Sequence, residues 1–306
     1  MTQAQAPVVI PPIEGARRPR RFGRPSGNPL LHIALAVIMI IWAIPALGLL
    51  ISSVRPAADI TRSGWWTAFF PPAQFTLENY EQVLSRAGIG EAFINSFLIT
   101  IPATVIVVMI AAFAAYAFAW MDFRGRNLLF VVVVGLLVIP LQVTLIPVLR
   151  LFSGLDSLTG IQISGSFIAL WLAHTGYGLP FAVYLLRNYF GGLPKEVFES
   201  AAIDGASPTT AFFRLALPMS VPVLASLVIF QFLWVWNDLL VALVYLGPQP
   251  DLLPLPVALA NLTTSRGLGF QLLTAAAFIS MIVPIAVFLG LQRYFVRGIT
   301  GGAVKG

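Results

Sequence analysis

Long uncharged runs dominate the pattern of hydrophobic and polar positions along the chain. Each run exceeds the about 20 residues that an α-helix needs to cross about 30 Å of hydrocarbon. A bilayer leaves no water for bare backbone, and the runs do not alternate polar and apolar residues as barrel strands do, so we predict helices. The expected fold is an all-α, polytopic membrane helix bundle of about six spans: Asn28–Val54, Ala92–Met121, Asn127–Leu149, Ser157–Leu186, Leu215–Asn237 and Gly267–Gln292.

Composition excludes several other classes of protein. Of the 306 residues, 58% are hydrophobic and 10% are charged, against about 45–50% and about 25% in soluble domains, so a water-soluble globule is excluded. The chain has no cysteine, which excludes disulfides, thiolate nucleophiles, zinc–thiolate sites and iron–sulfur clusters. The net charge of +6 would indicate nucleic acid only if the basic residues formed a patch, and they are divided among the loops.

The division of the basic residues predicts the orientation of the bundle. If the N-terminus is cytoplasmic, thirteen of the 18 Lys and Arg residues fall in cytoplasmic segments and five in external ones. This positive-inside bias predicts that both termini are cytoplasmic. Residues 1–27 are rich in Pro and Arg, so we predict a disordered, basic cytoplasmic tail that faces the membrane surface. Residues 28–306 then form the transmembrane domain.

Prolines recur in the predicted spans. Each one removes a backbone hydrogen bond and kinks a helix. Two interpretations stay open: packing tolerates the individual prolines, or the bundle is built to bend. The prolines concerned are Pro45, Pro102, Pro140, Pro147, Pro180, Pro222 and Pro284.

Two short helices are predicted in the connection between the fourth and fifth spans. The first has Pro194 in its opening turn, Glu196 beside the positive helix start, and Gly205 closing it in a left-handed conformation. The second begins at Ser207, a capping serine followed by proline, and is predicted to end before Pro218. The small residues of the first helix, which would let another protein surface approach closely, are Ala201, Ala202 and Gly205.

The same connection carries a recognisable motif. The sequence ESAAIDGASPTTAFFRLALP, Glu199–Pro218, resembles the EAA loop of binding-protein-dependent ABC importer permeases of the carbohydrate-uptake, maltose-type family, and the whole loop is then Pro194–Pro218. The resemblance is to the smaller pore subunit and covers the chain apart from the N-terminal tail. Further matching segments are NYEQVL (Asn79–Leu84), INS (Ile94–Ser96), AAYAFAW (Ala114–Trp120), VWND (Val235–Asp238) and LQRYFVRGITGGAVKG (Leu291–Gly306).

The sequence departs from the family motif at three positions. Ser200 and Leu215 stand where Ala and Ile are usual, and both changes are conservative in size. Ala202 stands where Arg is common, which puts one charged contact to the ATPase in doubt.

The resemblance implies an ABC type I importer permease fold in which this loop couples the spans to a motor. The implied protein partners are a second permease subunit, a homodimeric ABC ATPase that holds ATP and Mg²⁺, and an extracytoplasmic solute-binding protein. The other implied partners are a sugar and membrane lipid. The resemblance implies no nucleic acid partner and no cofactor on this chain. The implied location is the bacterial plasma (inner) membrane. An ordinary surface hairpin of helices is the alternative. The implied coupling residues are Glu199, Ala201, Ala202, Asp204, Gly205 and Pro218.

Asp238 is the acidic residue embedded deepest in an apolar stretch. A carboxylate costs about 2.5–3.5 kcal/mol at the centre of a membrane helix, so it should face a partner or a water-filled path. Helical spacing places it on one side with polar and aromatic neighbours. An aromatic face with amide and carboxylate groups suits a neutral sugar, but these groups could equally bond and pack between helices. The candidate substrate-path residues are Gln231, Trp234, Asn237, Asp238 and Tyr245.

Other polar positions carry weaker expectations. We interpret His174 as a packing residue and His32 as an interfacial one. The external segment Leu246–Phe270 is expected to form a small helix-bearing loop, which the resemblance implies touches the solute-binding protein, a solvated linker being the alternative. The resemblance also implies that the Gly-rich tail after Arg297 reaches the ATPase interface, the alternative being a frayed end.

Missing motifs exclude several chemistries. The chain has no GxxxxGK[ST] phosphate loop, so it cannot hydrolyse ATP by that route, and no HExxH or GxSxG motif.

The predicted function is a pore-forming permease subunit of an ATP-driven importer of a sugar or oligosaccharide. AAAFISMIVP, Ala275–Pro284, resembles alpha-glucoside permeases. The alternatives are an ion-coupled secondary transporter and a membrane enzyme, both of which need more intramembrane titratable groups.

Overall fold

A computed structural model describes residues 29–70, 75–85, 88–262 and 269–303, with side chains as far as Gln292. The predicted tail, residues 1–27, lies outside this range. Within it the helices, in chain order, are α1 (Pro29–Ser53), α2 (Ala57–Arg62), α3 (Glu78–Ser85), α4 (Ile89–Trp120), α5 (Arg126–Leu136), α6 (Leu141–Thr159), α7 (Phe167–Phe190), α8 (Lys195–Ile203), α9 (Pro208–Ala211), α10 (Leu217–Met219), α11 (Val221–Trp236), α12 (Leu240–Leu246), α13 (Leu255–Ala260) and α14 (Phe270–Ala303).

The membrane spans agree with the predicted helical bundle in number. Five helices, α1, α4, α6, α7 and α14 as far as Gln292, are long and apolar enough to cross a bilayer. A sixth candidate is the pair Pro208–Met219 and Val221–Trp236, whose two parts are bent by 75°. The part of α1 up to Gly48 forms a unit by itself. Its side chains are mostly exposed, as expected for a helix surrounded by lipid.

The core of the second unit, which begins at Leu49, is built on α4 and α7. These two helices run parallel, because Trp171 Nε1 donates to Leu98 O near their starts and Trp120 Nε1 donates to Phe190 O near their ends, both at 3.0 Å. Small buried side chains let the two backbones approach closely, as membrane helix interfaces require. They include Ala103, Ala111, Ala112 and Ala115 on α4 and Ala169, Ala173 and Ala182 on α7.

The predicted single third span was wrong. The neutral run Asn127–Leu149 forms two helices, α5 and α6, which are separated by residues 137–140. Pro140 causes this break because it has no N–H for the helical ladder and disfavours helical geometry in the residue before it. The helix then resumes at Leu141 and extends to Thr159.

The predicted fourth and fifth spans also had wrong boundaries. The fourth span begins at Phe167 instead of Ser157, because Gly160 and Gly165 adopt positive φ angles and form a loop between α6 and α7. The fifth span ends at Trp236, and Leu239 does not continue it, since a separate helix α12 follows. Gaps between charges mark segments that lipid tolerates, but they do not mark where helices end.

The segment before the second span is organised by one buried arginine. The guanidinium of Arg55 donates to the carbonyls of Asp59, Ser63 and Gly64 and to the hydroxyls of Ser63 and Thr67, at 2.8–3.4 Å. These bonds hold α2 and a 3-10 turn, Trp65–Phe69, against the end of the first span. Arg55 is 4% exposed, so neutral oxygens take the place of water around its charge.

Candidate coupling loop and translocation path

Helix α8 has the predicted start and end. Pro194 precedes its first turn, and Gly205 follows it with φ of +80°. Gly205 N donates to Ala202 O at 3.1 Å and Ala206 N donates to Ala201 O at 2.9 Å. This pair of bonds is a Schellman motif, which satisfies carbonyls at the helix end and needs a left-handed residue. Glycine is the residue that adopts this conformation without strain.

Phe198 attaches α8 to the end of the second span. Its ring stacks on Trp120 with centroids 4.0 Å apart and an interplanar angle of 21°, and it is 8% exposed. Trp120 is itself fixed by its bond to Phe190 O. A cavity of about 450 Å³ lies beside the stack and is lined by residues that include Tyr116, Glu199, Ala202 and Ala206. Phe198 was not among the residues predicted from the sequence, although the matching segment AAYAFAW contains its partner, Trp120.

The candidate coupling residues are mostly accessible on this loop. Glu199, Ala202, Asp204, Gly205 and Pro218 are exposed, and Ala201 is half-buried. Two apolar side chains that sequence analysis did not single out, Val197 and Ile203, are also exposed on α8, at 37% and 87%. The loop thus presents carboxylates, small residues and apolar groups together.

The second part of the loop differs from its prediction. Ser207 caps α9 as expected, since its Oγ accepts from Thr210 N at 3.2 Å. The helix does not end before Pro218, because a π turn, Phe212–Ala216, leads directly into α10. The wider π turn changes the hydrogen-bond pattern, so that a proline without an N–H can follow. Phe212 is buried against Phe113 and Tyr116 of α4, at 4.8 and 5.1 Å between centroids.

Gln231 and Trp234 of α11 both face α7. A Cβ added to Gly178 would lie 2.8 Å from Gln231 Oε1, so the glycine makes room for this side chain. Gln231 is 5% exposed, and its Nε2 has no hydrogen-bond partner among the described residues. The Trp234 ring lies edge to face with the ring of His174, 5.3 Å between centroids.

Asp238 links the break in the fifth span to α7. Its oxygens accept from Val241 N at 3.4 Å and Ala242 N at 3.1 Å, which closes the start of α12. The same side chain has Oδ2 3.6 Å from His174 Nε2. His174 is buried, and its Nδ1 donates to Leu170 O at 2.9 Å, since a carbonyl can only accept. The hydrogen bonds of Asp238 therefore lie within its own segment, and its contact with His174 across to α7 is not a hydrogen bond among the described residues. The buried His174 agrees with its packing interpretation.

Tyr245 joins a chain of three hydroxyl groups. Its hydroxyl is 2.6 Å from that of Tyr177 on α7, and Thr144 Oγ1 on α6 is 3.1 Å from the same Tyr177 oxygen. Tyr245 is fully buried, and Asn237 is exposed with its amide bonded to Leu233 O. Four of the five candidate path residues therefore contact α7 despite the break in their helix. Asn237 does not join them.

A cavity of about 440 Å³ lies beside this group. Its lining brings Trp234 together with Tyr177 and Thr144, which sequence analysis had not selected. Neither could be found from local spacing, because they belong to α7 and α6 and only the packing of the third, fourth and fifth spans unites them.

At the opposite end of the bundle, the connection after α12 forms the expected helix-bearing loop. It contains a 3-10 turn, Pro250–Leu252, and α13. Asn95 Nδ2 donates to Asp251 O and Leu253 O, and Ser96 Oγ accepts from Leu255 N. This loop is thereby fixed to the start of α4. Residues 263–268 and the last three residues lie outside the described range.

Comparison with known proteins decides the family. The model of the family described as "Binding-protein-dependent transport system inner membrane component" matches residues 107–301. The chain belongs to this family. It is therefore an ABC importer permease, a membrane pore subunit without enzymatic activity or a cofactor of its own, and its ATPase is a separate chain. This confirms the ATP-driven interpretation over the ion-coupled and enzymatic alternatives.

The permease has curated relatives with named substrates. It is 59% identical to the osmoprotective compounds uptake permease protein GgtD of Synechocystis sp. over 90% of this chain and 91% of that one. It is 56% identical to the alpha-glucoside transport system permease protein AglG of Rhizobium meliloti over 79% of this chain, and spans 63% of that relative's length. It is 35% identical to the arabinooligosaccharides transport system permease protein AraQ of Halalkalibacterium halodurans, over 90% of this chain and 96% of that one.

A solved structure confirms the fold of the permease. A chain of a bacterial ABC transporter that imports the acidic polysaccharide alginate superimposes with a TM-score of 0.70 at 21% identity. The match covers 88% of this chain and 98% of the other. The predicted ABC importer permease fold is therefore confirmed.

Proposed function

We propose that this permease forms half of the pore of an importer for an alpha-glucoside. The observation that carries the proposal is the 56% identity to an alpha-glucoside permease over 79% of the chain. The 59% identity to an osmoprotective-compound permease favours a second candidate, an osmoprotective compound. An alpha-glucoside is a neutral, hydroxyl-rich solute, which agrees with the aromatic and hydroxyl groups around Trp234 and Tyr177.

The proposed orientation puts the coupling loop in the cytoplasm. Arg124 and Arg126 follow α4, and Arg187, Lys195 and Arg214 flank α8, so five basic residues lie at the end of the bundle that holds the Trp120–Phe198 stack. The positive-inside rule assigns this end to the cytoplasm and the Asn95 end to the outside. Both termini are then cytoplasmic, in the plasma (inner) membrane of a bacterium.

In this orientation α8 contacts a homodimeric ATPase that binds ATP and Mg²⁺. Glu199 and Asp204 offer acceptors for basic side chains or N–H groups, and the Ala201–Ala202 surface lets another backbone approach. Gly205 and Pro218 shape the two ends of the loop. A second permease chain completes the pore, and an extracytoplasmic solute-binding protein delivers the sugar to the end that carries α13.

The solute path follows the α7 face of the fifth span. Trp234 is 36% exposed and offers an aromatic surface on this face, while Asn237, which does not contact α7, offers an exposed side chain beside it. Gln231, Asp238 and Tyr245 are mostly internal, and they support this face by contacts to α7. Interhelical packing alone is the competing explanation for these three.

Uptake by the reconstituted complex tests the proposal. The permease, its partner permease, the ATPase and the solute-binding protein encoded beside it are placed in proteoliposomes with labelled sugars. ATP-dependent accumulation of an alpha-glucoside, unaffected by an uncoupler, is expected. The proposal would be overturned by uptake without ATP, or by accumulation of neither alpha-glucosides nor osmoprotective compounds. Glu199→Gln should lower uptake, with Glu78→Gln on the exposed surface of α3 as the control.

A further inference from the structure

The break in the third span leaves bare backbone. Among the described residues, the carbonyls of Leu137, Val138 and Ile139 accept no hydrogen bond, whereas Pro140 O accepts from Val143 N at 3.1 Å. Val138 is 82% exposed. Three consecutive acceptors are therefore available to a ligand, to water or to a partner.

In the proposed orientation these carbonyls lie deep in the membrane. Helix α5 has 11 residues and starts at the cytoplasmic turn proposed above, so its end is about 16 Å further along the axis, roughly half of the about 30 Å hydrocarbon core. An unsatisfied peptide group in hydrocarbon is costly. Non-helical backbone at such depth is found where it is buried in protein or lines a water-filled cavity, not where it faces lipid.

The break borders the cavity of about 440 Å³ described above. Leu137 and Ile139 line it from the break, and Thr144, Tyr177 and Trp234 line it from α6, α7 and α11. This volume lies within the about 300–1,000 Å³ of typical small-ligand sites. None of its ten lining residues is charged: Leu136, Leu137, Ile139, Leu141, Thr144, Val148, Gly176, Tyr177, Pro180 and Trp234.

We propose that this cavity is a transient subsite for one ring of a neutral sugar, with the broken third span as its acceptor wall. The proposal rests on the proposed function and adds the residues that hold the solute in this subunit. The free carbonyls at Leu137 and Ile139 accept from sugar hydroxyls, which are good donors. The Trp234 ring supplies a flat apolar surface.

The hydroxyls of Tyr177 and Thr144 complete the subsite. Thr144 Oγ1 lies 2.6 Å from Leu141 O and 3.1 Å from Tyr177 Oη, and Tyr177 Oη lies 2.6 Å from Tyr245 Oη. These hydroxyl contacts hold the side chains of Thr144 and Tyr177 in place. Tyr177 is half-buried, and its hydroxyl oxygen can accept one more hydrogen bond from a sugar hydroxyl. The absence of charge in the lining selects neutral sugars over uronates, because a carboxylate would find no compensating cation there.

A thiol-accessibility experiment distinguishes water from lipid. The chain contains no cysteine, so Ile139→Cys introduces the one thiol that mass spectrometry of this subunit would detect. A charged thiol reagent reacts with the thiolate, which forms in water. In nanodiscs with both faces accessible, we expect Ile139→Cys to be labelled, and the transported sugar to slow labelling several-fold. Val131→Cys, on the exposed face of α5, is the matched lipid-facing control. Labelling of Ile139→Cys no faster than that of Val131→Cys would overturn the proposal.

Transport by hydroxyl-deletion variants tests the ligand. Tyr177→Phe combined with Thr144→Val should lower the number of sugars imported per ATP hydrolysed by about three- to ten-fold, the loss expected for a hydrogen bond. ATPase stimulation by the binding protein should change by less than two-fold. Tyr184→Phe, a half-exposed tyrosine on the same helix, is the control. Unchanged coupling in the double variant overturns this inference alone, whereas a wild-type complex that imports no sugar overturns the proposed function itself.

Discussion

Phe198→Ala should loosen the proposed coupling helix α8 from the second span. Truncating a buried phenylalanine costs about 3–5 kcal/mol, depending on how well the site collapses. The cavity of about 450 Å³ already present beside the ring admits water, which places the cost near the lower limit of about 3 kcal/mol. A change of this size shifts the equilibrium between seated and unseated α8 by more than a hundred-fold.

Part of this cost belongs to the aromatic pair itself. Stacked rings contribute about 0.5–1.5 kcal/mol beyond the area that they bury. A double-mutant cycle with Trp120→Leu measures that part, because the two rings are in direct contact at 4.0 Å. An interaction energy indistinguishable from zero would refute the stack as the attachment of α8.

The assay is the number of sugars imported per ATP hydrolysed by the reconstituted complex. Phe198→Ala should lower this ratio at least ten-fold while the spans remain folded, as monitored by thermal unfolding of the purified complex. Phe181→Ala removes the same atoms from a position on α7 that is 46% exposed, and it should leave the ratio unchanged. If Phe198→Ala couples ATP hydrolysis to import as well as the wild type does, the attachment has no part in coupling.

Further substitutions test other contacts of the fold. Gly205→Ala should destabilise the end of α8 by about 1–2 kcal/mol because Gly205 has a positive φ. Steric contact does not contribute, since nothing lies within 4 Å of the added Cβ. A smaller loss of thermal stability in Gly205→Asn would confirm that the backbone conformation is the cause. Arg55→Met should accelerate hydrogen exchange over residues 59–67, because the carbonyls that it satisfies lose their charged donor; unchanged exchange would contradict this. Gly178→Ala should lower thermal stability by displacing Gln231, and Gly178→Ala with Gln231→Ala should recover part of the loss; strictly additive losses would argue against the contact.

Features with local causes could be predicted from the sequence. The start of α8 at Pro194, the left-handed Gly205 and the serine cap at Ser207 all follow from residues within one turn of each other. The first and second spans also agree with their uncharged runs within a few residues, because lipid requires both an apolar surface and a helical backbone there. The helix of the sixth span begins three residues after the start of its run, but it continues beyond Gln292 to Ala303.

Features that depend on packing could not be predicted in this way. Pro140 was noted as a possible kink, but whether a membrane helix bends or breaks at a proline depends on which neighbours satisfy the freed backbone. The Trp120–Phe198 stack and the Tyr177–Tyr245 bond join different helices, and no periodicity in either segment indicates them. The interruption at Asn237–Leu239 similarly depends on Asp238, which caps the next helix instead of continuing the last one.

If α8 binds the ATPase and the solute passes beside α7, as proposed, the observed contacts provide a physical connection between the two. The loop meets α4 twice, through Phe198 and through Phe212, and it meets α7 where Tyr189 Oη donates to Met219 O at 3.2 Å. Directly after Met219 the chain bends by 75° into α11. A tilt of the loop would therefore shift α11 both along its own axis and sideways. That helix touches α7 at Gly178, where the side chain of Gln231 occupies the space of the missing Cβ. The same displacement would move Trp234 relative to Tyr177, which changes the cavity between them without breaking the α4–α7 core.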